Sequence, residues 1–408
     1  MGKTIVLVGA LDTKGPDYAF VKSEIERRGH RALVVDTSVT GAPAFLADVT
    51  AAEVAEAGGS SLEELRAKAD RGVAMEVMTR GVAVVARRLY DEGRLDGILA
   101  LGGSAGAAMG TAAMRALPLG VPKVMVTTVA SGDTKPYVGT RDVVMFPAVV
   151  DVAGLNRISA RIYANAVGAI VGMVETEAPS VAAKPLLAAT MFGNTTPAVE
   201  RAKAIFEAHG YEVLVFHATG TGGRTMEDLI GDGFFEGVAD ITTTEWADEL
   251  VGGVLSAGPN RLEAGATAGI PQVIVPGCLD MVNFWAPETV PETFKDRRFY
   301  RWNPNVTLMR TTPEENAELG RILAEKVNAS TGPVAVYLPL RGVSMLDAPG
   351  KEFWWPEADE ALFAAIKRHV RPGIPVHELE LNINDPAFAE AVAAGLLEFL
   401  QSRAPGAS

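Results

Sequence analysis

The sequence predicts an α/β protein built of two Rossmann-like, doubly wound domains with mainly parallel sheets. Three observations carry this. Short aliphatic runs such as "TIVLVGA", "RALVVDT" and "GILALGG" alternate with longer amphipathic stretches along the chain, the pattern of a parallel sheet covered by helices on both faces. The length of 408 residues exceeds what one core ordinarily holds, so two domains are expected. The pattern also restarts: "GVPKVMVTTVASGD" is echoed by "GIPQVIVPGCLDMV", and "VLVGALDTKG" by "LAATMFGNTTP". Duplication and the general likeness of any two doubly wound domains both account for these echoes.

The first half reads strand "TIVLVGA", helix "DYAFVKSEIERRG", strand "RALVVDT", then a helical stretch from about Ser61 to Gly93. Strand "GILALGG", helix "AGAAMGTAAMRAL", strands "PKVMVTT" and "VVMFPAVVD", and a helix near 156–175 close it. The second half begins with strand "LLAATMFG", helix "TPAVERAKAIFEAHG" and strand "YEVLVFHA". After a glycine-rich turn come strand "GVADITTT", helix "WADELVGGVL" and strand "PQVIVPG". Helix "PEENAELGRILAEKVNA", strand "GPVAVYLPL", helix "DEALFAAIKRHV", strand "VHELELNI" and helix "PAFAEAVAAGLLEFL" complete it. Pro179, within "APSVAAKP", marks the boundary between domains 1–180 and 181–408.

Composition narrows the function. With 48% hydrophobic and 21% charged residues the chain reads as globular. A net charge of −13, from 50 acids against 37 bases, argues against nucleic acid and against an anionic membrane surface as partners. The one cysteine, Cys278, makes no internal disulfide, and a reducing, cytoplasmic compartment is the simplest reading. No signal peptide is visible, and the longest apolar stretch, "YANAVGAIVGMVE", is shorter than the ~20 residues a membrane span needs.

In an open parallel sheet, ligands sit outside the carboxyl ends of the strands, where strand order reverses. "LALGGSAGAAMG" is the clearest signal there. Gly102, Gly103, Ser104 and Gly106 end a buried strand and open a helix of small residues; such a turn brings free N–H groups up to a phosphate or carboxylate. A tight turn that needs its glycines only for packing is the other reading. "GALDTKG" has neither the GxGxxG spacing nor the P-loop order, since Lys14 precedes Gly15. Lys14 is still placed to reach a phosphate, and Asp12 to hold Mg²⁺ directly or through water. Asp36, ending the second strand, suits ribose hydroxyls as well as a turn cap. "SGDT" adds Ser131, Gly132 and Asp133, with Asp12 and Asp133 as candidates to share the metal.

The second half carries its own set: His217 and Arg224 in "FHATGTGGRTME", Glu245 in "TTTEWADEL", Cys278 and Asp280 in "VPGCLDMVNF", Arg341 and Ser344 in "LPLRGVSMLD". His217, Cys278, Asp280 and Glu245 are the candidate catalytic groups; Arg224 and Arg341 are candidates for an anionic substrate. A lone cysteine at a strand end is more often a small core residue. No zinc spacing is present. "WNPNVTLMRTT" and "GKEFWWPEADE" read as aromatic-rich loops, with Trp354 and Trp355 as interface or packing residues.

Taken in order, "LVGALDTKG", "ALGGSAG", "VASGDTKPYVGTRD", "FHATGTGGRTME", "PGCLDMVNF", "LPLRGVS" and "LNINDPAFA" resemble the Tm-1-like ATP-binding domain family across essentially the whole chain. That resemblance implies two Rossmann-like domains, ATP binding, and a homodimer or higher homo-oligomer. It carries Gly9, Asp12, Lys14, Gly15, Asp36, Gly102, Gly103, Ser104, Gly106, Ser131, Gly132 and Asp133 as nucleotide-binding positions. The expected function is therefore a nucleotide-binding protein, with ATP and Mg²⁺ on the first domain and a small anionic metabolite on the second, in a cleft closed by hinge motion. An ATP-dependent enzyme, a non-catalytic nucleotide sensor, and a nucleotide-independent isomerase, lyase or hydrolase all remain compatible with the residues.

Overall fold

A computed structural model describes residues 2–177 and 183–403. The chain divides into two compact units, Met1–Val181 and Ala182–Ser408; Pro179, the expected boundary, lies outside the described residues.

In the first unit, strands β1 (Thr4–Gly9), β2 (Arg31–Asp36), β3 (Gly97–Gly102), β4 (Lys123–Thr127) and β5 (Val144–Pro147) form one parallel sheet of order β2-β1-β3-β4-β5. Helices α1 (Leu11–Glu26), α2 (Ala51–Ala57), α3 (Leu62–Lys68), α4 (Arg71–Asp91), α5 (Ser104–Arg115), α6 (Lys135–Val138) and α7 (Arg157–Glu175) cross between or follow these strands. Alternate residues of each strand serve different cores, as the two-residue period of a strand requires. Ile5, Leu7, Leu99 and Leu101 pack with α1 and α7, whereas Val6, Val8, Ile98 and Ala100 pack with α2, α4 and α5. Burial on both faces is why these strands read as unbroken apolar runs.

The opening segment differs from the expected loop. Helix α1 begins at Leu11, so "LDTKG" is its first turn, bent at Lys14 (φ −124°, ψ 18°) just before Pro16. The polar composition concealed this turn.

The second unit carries a parallel sheet of order β14-β13-β9-β8-β6-β7, formed by β6 (Leu186–Met191), β7 (Glu212–His217), β8 (Gly237–Thr242), β9 (Gln272–Gly277), β13 (Val334–Pro339) and β14 (Val376–Leu379). Between β9 and β13 lies a small antiparallel sheet, β10 (Met281–Phe284), β11 (Phe299–Asn303) and β12 (Val306–Arg310). Its helices are α8 (Thr196–Ala208), α9 (Thr221–Gly231), α10 (Glu245–Val251), α11 (Ala264–Ala268), α12 (Pro313–Asn328), α13 (Pro356–His369) and α14 (Pro386–Arg403). The first five strands of each parallel sheet follow one spatial order, and the sequence echoes fall on the first and fourth strand of each unit.

The small sheet corrects the reading of "WNPNVTLMRTT" as a loop. Its strands are only four or five residues long, too short for alternation to show against their aromatic residues. Trp355 is a packing residue: the Arg298 guanidinium lies 5.1 Å from its ring centre. Among the described residues no helix is long and apolar enough to cross a membrane.

Candidate functional site

In the first unit the strand order reverses between β1 and β3, which opens a crevice at their carboxyl ends. Tyr18 of α1 closes its floor. Its hydroxyl accepts from the Leu101 N–H at 2.8 Å and donates to the Val8 carbonyl, so the diverging strand ends keep their hydrogen bonds. A Cβ on Gly9 would collide with the Tyr18 ring. Gly9 is thus a glycine for packing, and Gly15 likewise, because a Cβ there would strike Ala44.

Above this floor the crevice holds two adjoining chambers. The smaller, about 350 Å³, is lined by Gly9, Lys14, Gly103, Ser104, Gly106, Arg71 and Asp151 among others. The larger, about 680 Å³, is walled by Val39, Leu65, Ala74, Met75, Met78 and Met109, with Asp12, Thr40, Arg66, Asp70 and Arg71 among its polar lining. Ala10, Thr13, Thr37, Arg71, Ala105 and Met109 belong to both. Each volume falls in the range of small-molecule sites.

The N-termini of α1 and α5 meet this crevice differently. At α1 the chain supplies its own anion: buried Asp36 accepts from Leu11 N–H (3.1 Å), Ser38 N–H (2.9 Å) and the Ser38 hydroxyl (2.5 Å), while the Asp12 N–H donates to the Ser38 oxygen. Asp36 therefore caps a helix and orders a turn, which corrects its assignment to ribose. At α5, among the described residues, no side chain takes that place, and the first turn holds no acid; Ser104, Ala105 and Gly106, whose N–H groups have no intrahelical acceptor, line the smaller chamber. Helices α2, α3, α4 and α7 are by contrast capped by Thr50, Ser61, Asp70 and Asn156.

The glycines of this turn also differ in cause. A Cβ on Gly102 would come within 2.7 Å of the Gly106 Cα, a packing requirement. A Cβ on Gly103 would have only the Thr128 hydroxyl near it, at 3.9 Å. Packing does not demand glycine at 103.

Other first-unit candidates are placed as follows. The Lys14 ammonium reaches the Val152 carbonyl while lining the smaller chamber. Asp12 lines the larger chamber, its Oδ2 accepting the Gly41 N–H at 3.0 Å. Ser131, Gly132 and Asp133 are exposed after β4, line neither chamber, and the Asp133 carboxylate takes the Lys135 N–H at 3.0 Å. Asp12 lines the larger chamber and Asp133 lines neither, so the structure does not bring the two carboxylates expected to share a metal into one chamber. Four charged chamber residues were not singled out from sequence: Arg66, Asp70, Arg71 and Asp151. The available signal was Arg71 itself, a cation in the first turn of α4, where the helix dipole disfavours it.

The second-unit candidates prove mostly structural. Glu245 is buried, accepts the Gly220 and Gly223 N–H groups at 2.6 and 3.1 Å, and pairs with the Arg261 Nε at 2.7 Å. Arg261, itself buried, also binds Asp240 at 2.5 Å and Glu227 at 3.2 Å. A Cβ on Gly223 would strike the Glu245 carboxylate, and one on Gly222 the His217 carbonyl. The glycine-rich turn "TGTGG" is thus an anion seat already filled from within by the Glu245 carboxylate.

Cys278 is fully buried, with left-handed backbone (φ 59°). Burial pushes its thiol well above the usual range, reinforced by Asp280 and Asp347, the setting of a small core residue. Asp280 is buried too, takes the Ser344 hydroxyl at 2.8 Å, and is raised by burial and by Asp347. It belongs to a knot in which Arg310 pairs with Asp359 at 2.6 Å and faces Asp347 at 3.7 Å. His217 is exposed and stacks on Phe192, ring centres 5.6 Å apart. Arg224 and Arg341 are exposed, but they follow β7 and β13, separated by four strand spacings, roughly 19 Å. The second-unit set does not converge on one site.

Comparison with known proteins is consistent along the chain. Residues 3–179 match the N-terminal domain, and residues 184–400 the C-terminal domain, of the family described as Uncharacterised protein family (UPF0261). A UPF0261 protein of Clostridium tetani is 52% identical over 403 residues, covering 98% of this chain and 100% of that protein. One of Rhizobium meliloti is 47% identical over 398 residues, covering 96% and 98%. The ToMV resistance protein Tm-1 of Solanum lycopersicum is 44% identical over 336 residues, 80% of this chain but only 45% of the tomato protein. The chain belongs to the UPF0261 family, and Tm-1 is its homologue.

Proposed function

We propose that this member of UPF0261 binds a nucleotide, ATP with Mg²⁺, in the crevice of its first unit, and is an ATP-dependent enzyme acting on a small anionic metabolite. The observation that carries the reading is the uncapped N-terminus of α5, opening through Gly103 into a chamber that adjoins a larger, methionine-walled one. Phosphates fit the first, where three N–H groups and the Lys14 ammonium are donors. A nucleoside fits the second, whose flexible methionines accept a flat ring without dictating its orientation. The sequence resemblance to Tm-1-like ATP-binding domains favours adenine.

The donor set fits Mg²⁺ as a companion of the phosphates, since this ion usually takes one or two carboxylates and keeps its waters. Asp151 lines the phosphate chamber and is the carboxylate to face it; Asp12 lies on the nucleoside side. Bound there, ATP would supply a phosphoryl or nucleotidyl group. Reducing, cytoplasmic surroundings and a homo-oligomeric state stay part of this reading, the first supported by the unpaired Cys278.

A second reading, a nucleotide-responsive protein without turnover, is favoured by one observation: Glu245, Cys278 and Asp280 are all buried among their own partners. One experiment separates the readings. Nucleotide-stripped full-length protein is titrated with ATP by calorimetry, with and without Mg²⁺, beside Lys14→Ala, Asp151→Asn and Asp12→Asn, and is then assayed for ADP, AMP and phosphate release with a panel of organic acids. Binding weakened by Lys14→Ala, with turnover stimulated by an acid, supports the enzyme. Binding without turnover supports the responsive protein. No heat and no shift in melting temperature with any nucleotide refutes both.

A further inference from the structure

Three cations line the two chambers, and they differ in what already holds them. The Lys14 ammonium is bound to the Val152 carbonyl and the Arg66 Nε to the Val39 carbonyl at 2.6 Å. Arg71 is exposed, and among the described residues its guanidinium has no acidic partner. Its neighbour Asp70 is occupied, the Oδ1 atom capping the Gly72 and Val73 N–H groups at 2.8 and 3.1 Å. Arg71 is also the first residue of α4, at the positive end of the helix dipole, where a cation is disfavoured unless an anion joins it. It lines both chambers, whereas Lys14 lines only the smaller and Arg66 only the larger.

Resting on the nucleotide reading above, we propose that Arg71 holds the nucleoside-proximal phosphate at the junction of the chambers and so sets the ligand's direction. The nucleoside lies in the 680 Å³ chamber among Met75, Met78 and Met109, and the terminal phosphates lie at the α5 N-terminus. The reverse direction would set a base among the glycines of the 350 Å³ chamber and bring the phosphates beside the Asp12 and Asp70 carboxylates of the larger one, away from Lys14 and the α5 turn, where like charge opposes them. A guanidinium offers the fork geometry that a phosphate accepts from two nitrogens at once.

The ligand class that follows is a nucleoside 5′-phosphate of any chain length. The two anion positions then respond differently to chain length, because Arg71 meets the phosphate that AMP, ADP and ATP share, and Gly103 borders the one that only the longer ligands reach.

The test is a calorimetric series of adenosine, AMP, ADP and ATP on the full-length wild type, Arg71→Ala, Arg71→Lys and Gly103→Val. Arg71→Ala is expected to weaken AMP, ADP and ATP by one common factor, about 10-fold to 100-fold for a lost charge-assisted contact, and to leave adenosine unchanged. Arg71→Lys restores part of the affinity. Gly103→Val is expected to weaken ATP more than AMP. Wild-type affinity for AMP in Arg71→Ala, or a loss confined to ATP, overturns the assignment of Arg71. A wild type that binds none of the series refutes the nucleotide reading itself, and with it this inference.

Discussion

Two glycines at the mouth of one crevice are expected to answer substitution in opposite ways. Gly103 has φ −76° and ψ −158°, extended backbone that L-residues adopt, and the nearest atom to an added Cβ is 3.9 Å away. Gly103→Ala is therefore expected to leave stability unchanged or to raise it by up to ~1 kcal/mol, through the smaller entropy of the unfolded chain. Gly103→Val sets a branched side chain in front of the Ser104, Ala105 and Gly106 N–H groups. Loss of two charge-assisted hydrogen bonds there costs about 3 kcal/mol of binding, roughly 100-fold in affinity for ATP. Gly9→Ala is the reverse case, since its Cβ would drive Tyr18 off the Val8 carbonyl and the Leu101 N–H. Overpacking costs about 1–3 kcal/mol, and buried backbone groups left without partners cost about as much again. Urea unfolding and ATP calorimetry on the same preparations check both arms. Wild-type ATP affinity in a folded Gly103→Val chain refutes the role of the α5 N-terminus, and a Gly9→Ala chain as stable as wild type refutes the packing role of Tyr18.

Three further outcomes are expected. Cys278 resists alkylation in the folded chain and yields one modified thiol per chain in denaturant; ready labelling under native conditions contradicts its burial. Glu245→Ala leaves the Gly220 and Gly223 N–H groups and the Arg261 Nε without their acceptor, so stability falls by about 3–5 kcal/mol, and inorganic phosphate raises the melting temperature of this variant more than that of wild type. An equal phosphate response would mean the α9 turn is no anion seat. Burial raises Asp248 from 3.8 to about 7 against the hydrogen bonds of Asn283, and it raises Asp280 and Asp359 in the same direction. These native carboxyls hold protons in a range where the unfolded chain has lost them, so the urea midpoint of the second unit should fall between about pH 5 and about pH 8; a level or rising midpoint contradicts this.

The strands were legible because a parallel sheet buried on both faces leaves continuous apolar runs, and β1 to β4 and β13 stand where the runs are. The start of α1 was not, because Asp12, Thr13 and Lys14 look like loop residues until Leu11 is seen packing into the core. The strands β10 to β12 were hidden by their shortness. At the site, "GGSAG" was legible from glycine and small residues at a strand end. The burial of Glu245, Cys278 and Asp280 was not legible for a single physical reason: residue type at a strand end shows reactivity in principle but not whether a partner waits. The partners of Glu245 are a guanidinium 16 residues onward and a turn 22 to 25 residues back, separations that no local pattern records. Arg71 was missed for the complementary reason, since what distinguishes it is the lack of such a partner among the described residues.

A glycine-rich strand-to-helix turn is therefore only half of an anion site. Such turns bring bare N–H groups together, and the helix dipole makes an anion welcome there whatever its source. In this chain the Asp36 carboxylate fills the place at α1 and the Glu245 carboxylate the place at α9, each arriving from a different strand end. A seat filled from within stabilises the fold and leaves nothing for a ligand. The distinguishing observation is the space a glycine's missing Cβ would occupy: the Glu245 carboxylate stands there at Gly223, and nothing stands there at Gly103 closer than 3.9 Å. The same glycine signal thus marks a structural turn in one unit and an open turn in the other, and the open one borders both a chamber large enough for a nucleoside and a guanidinium that no acid among the described residues pairs.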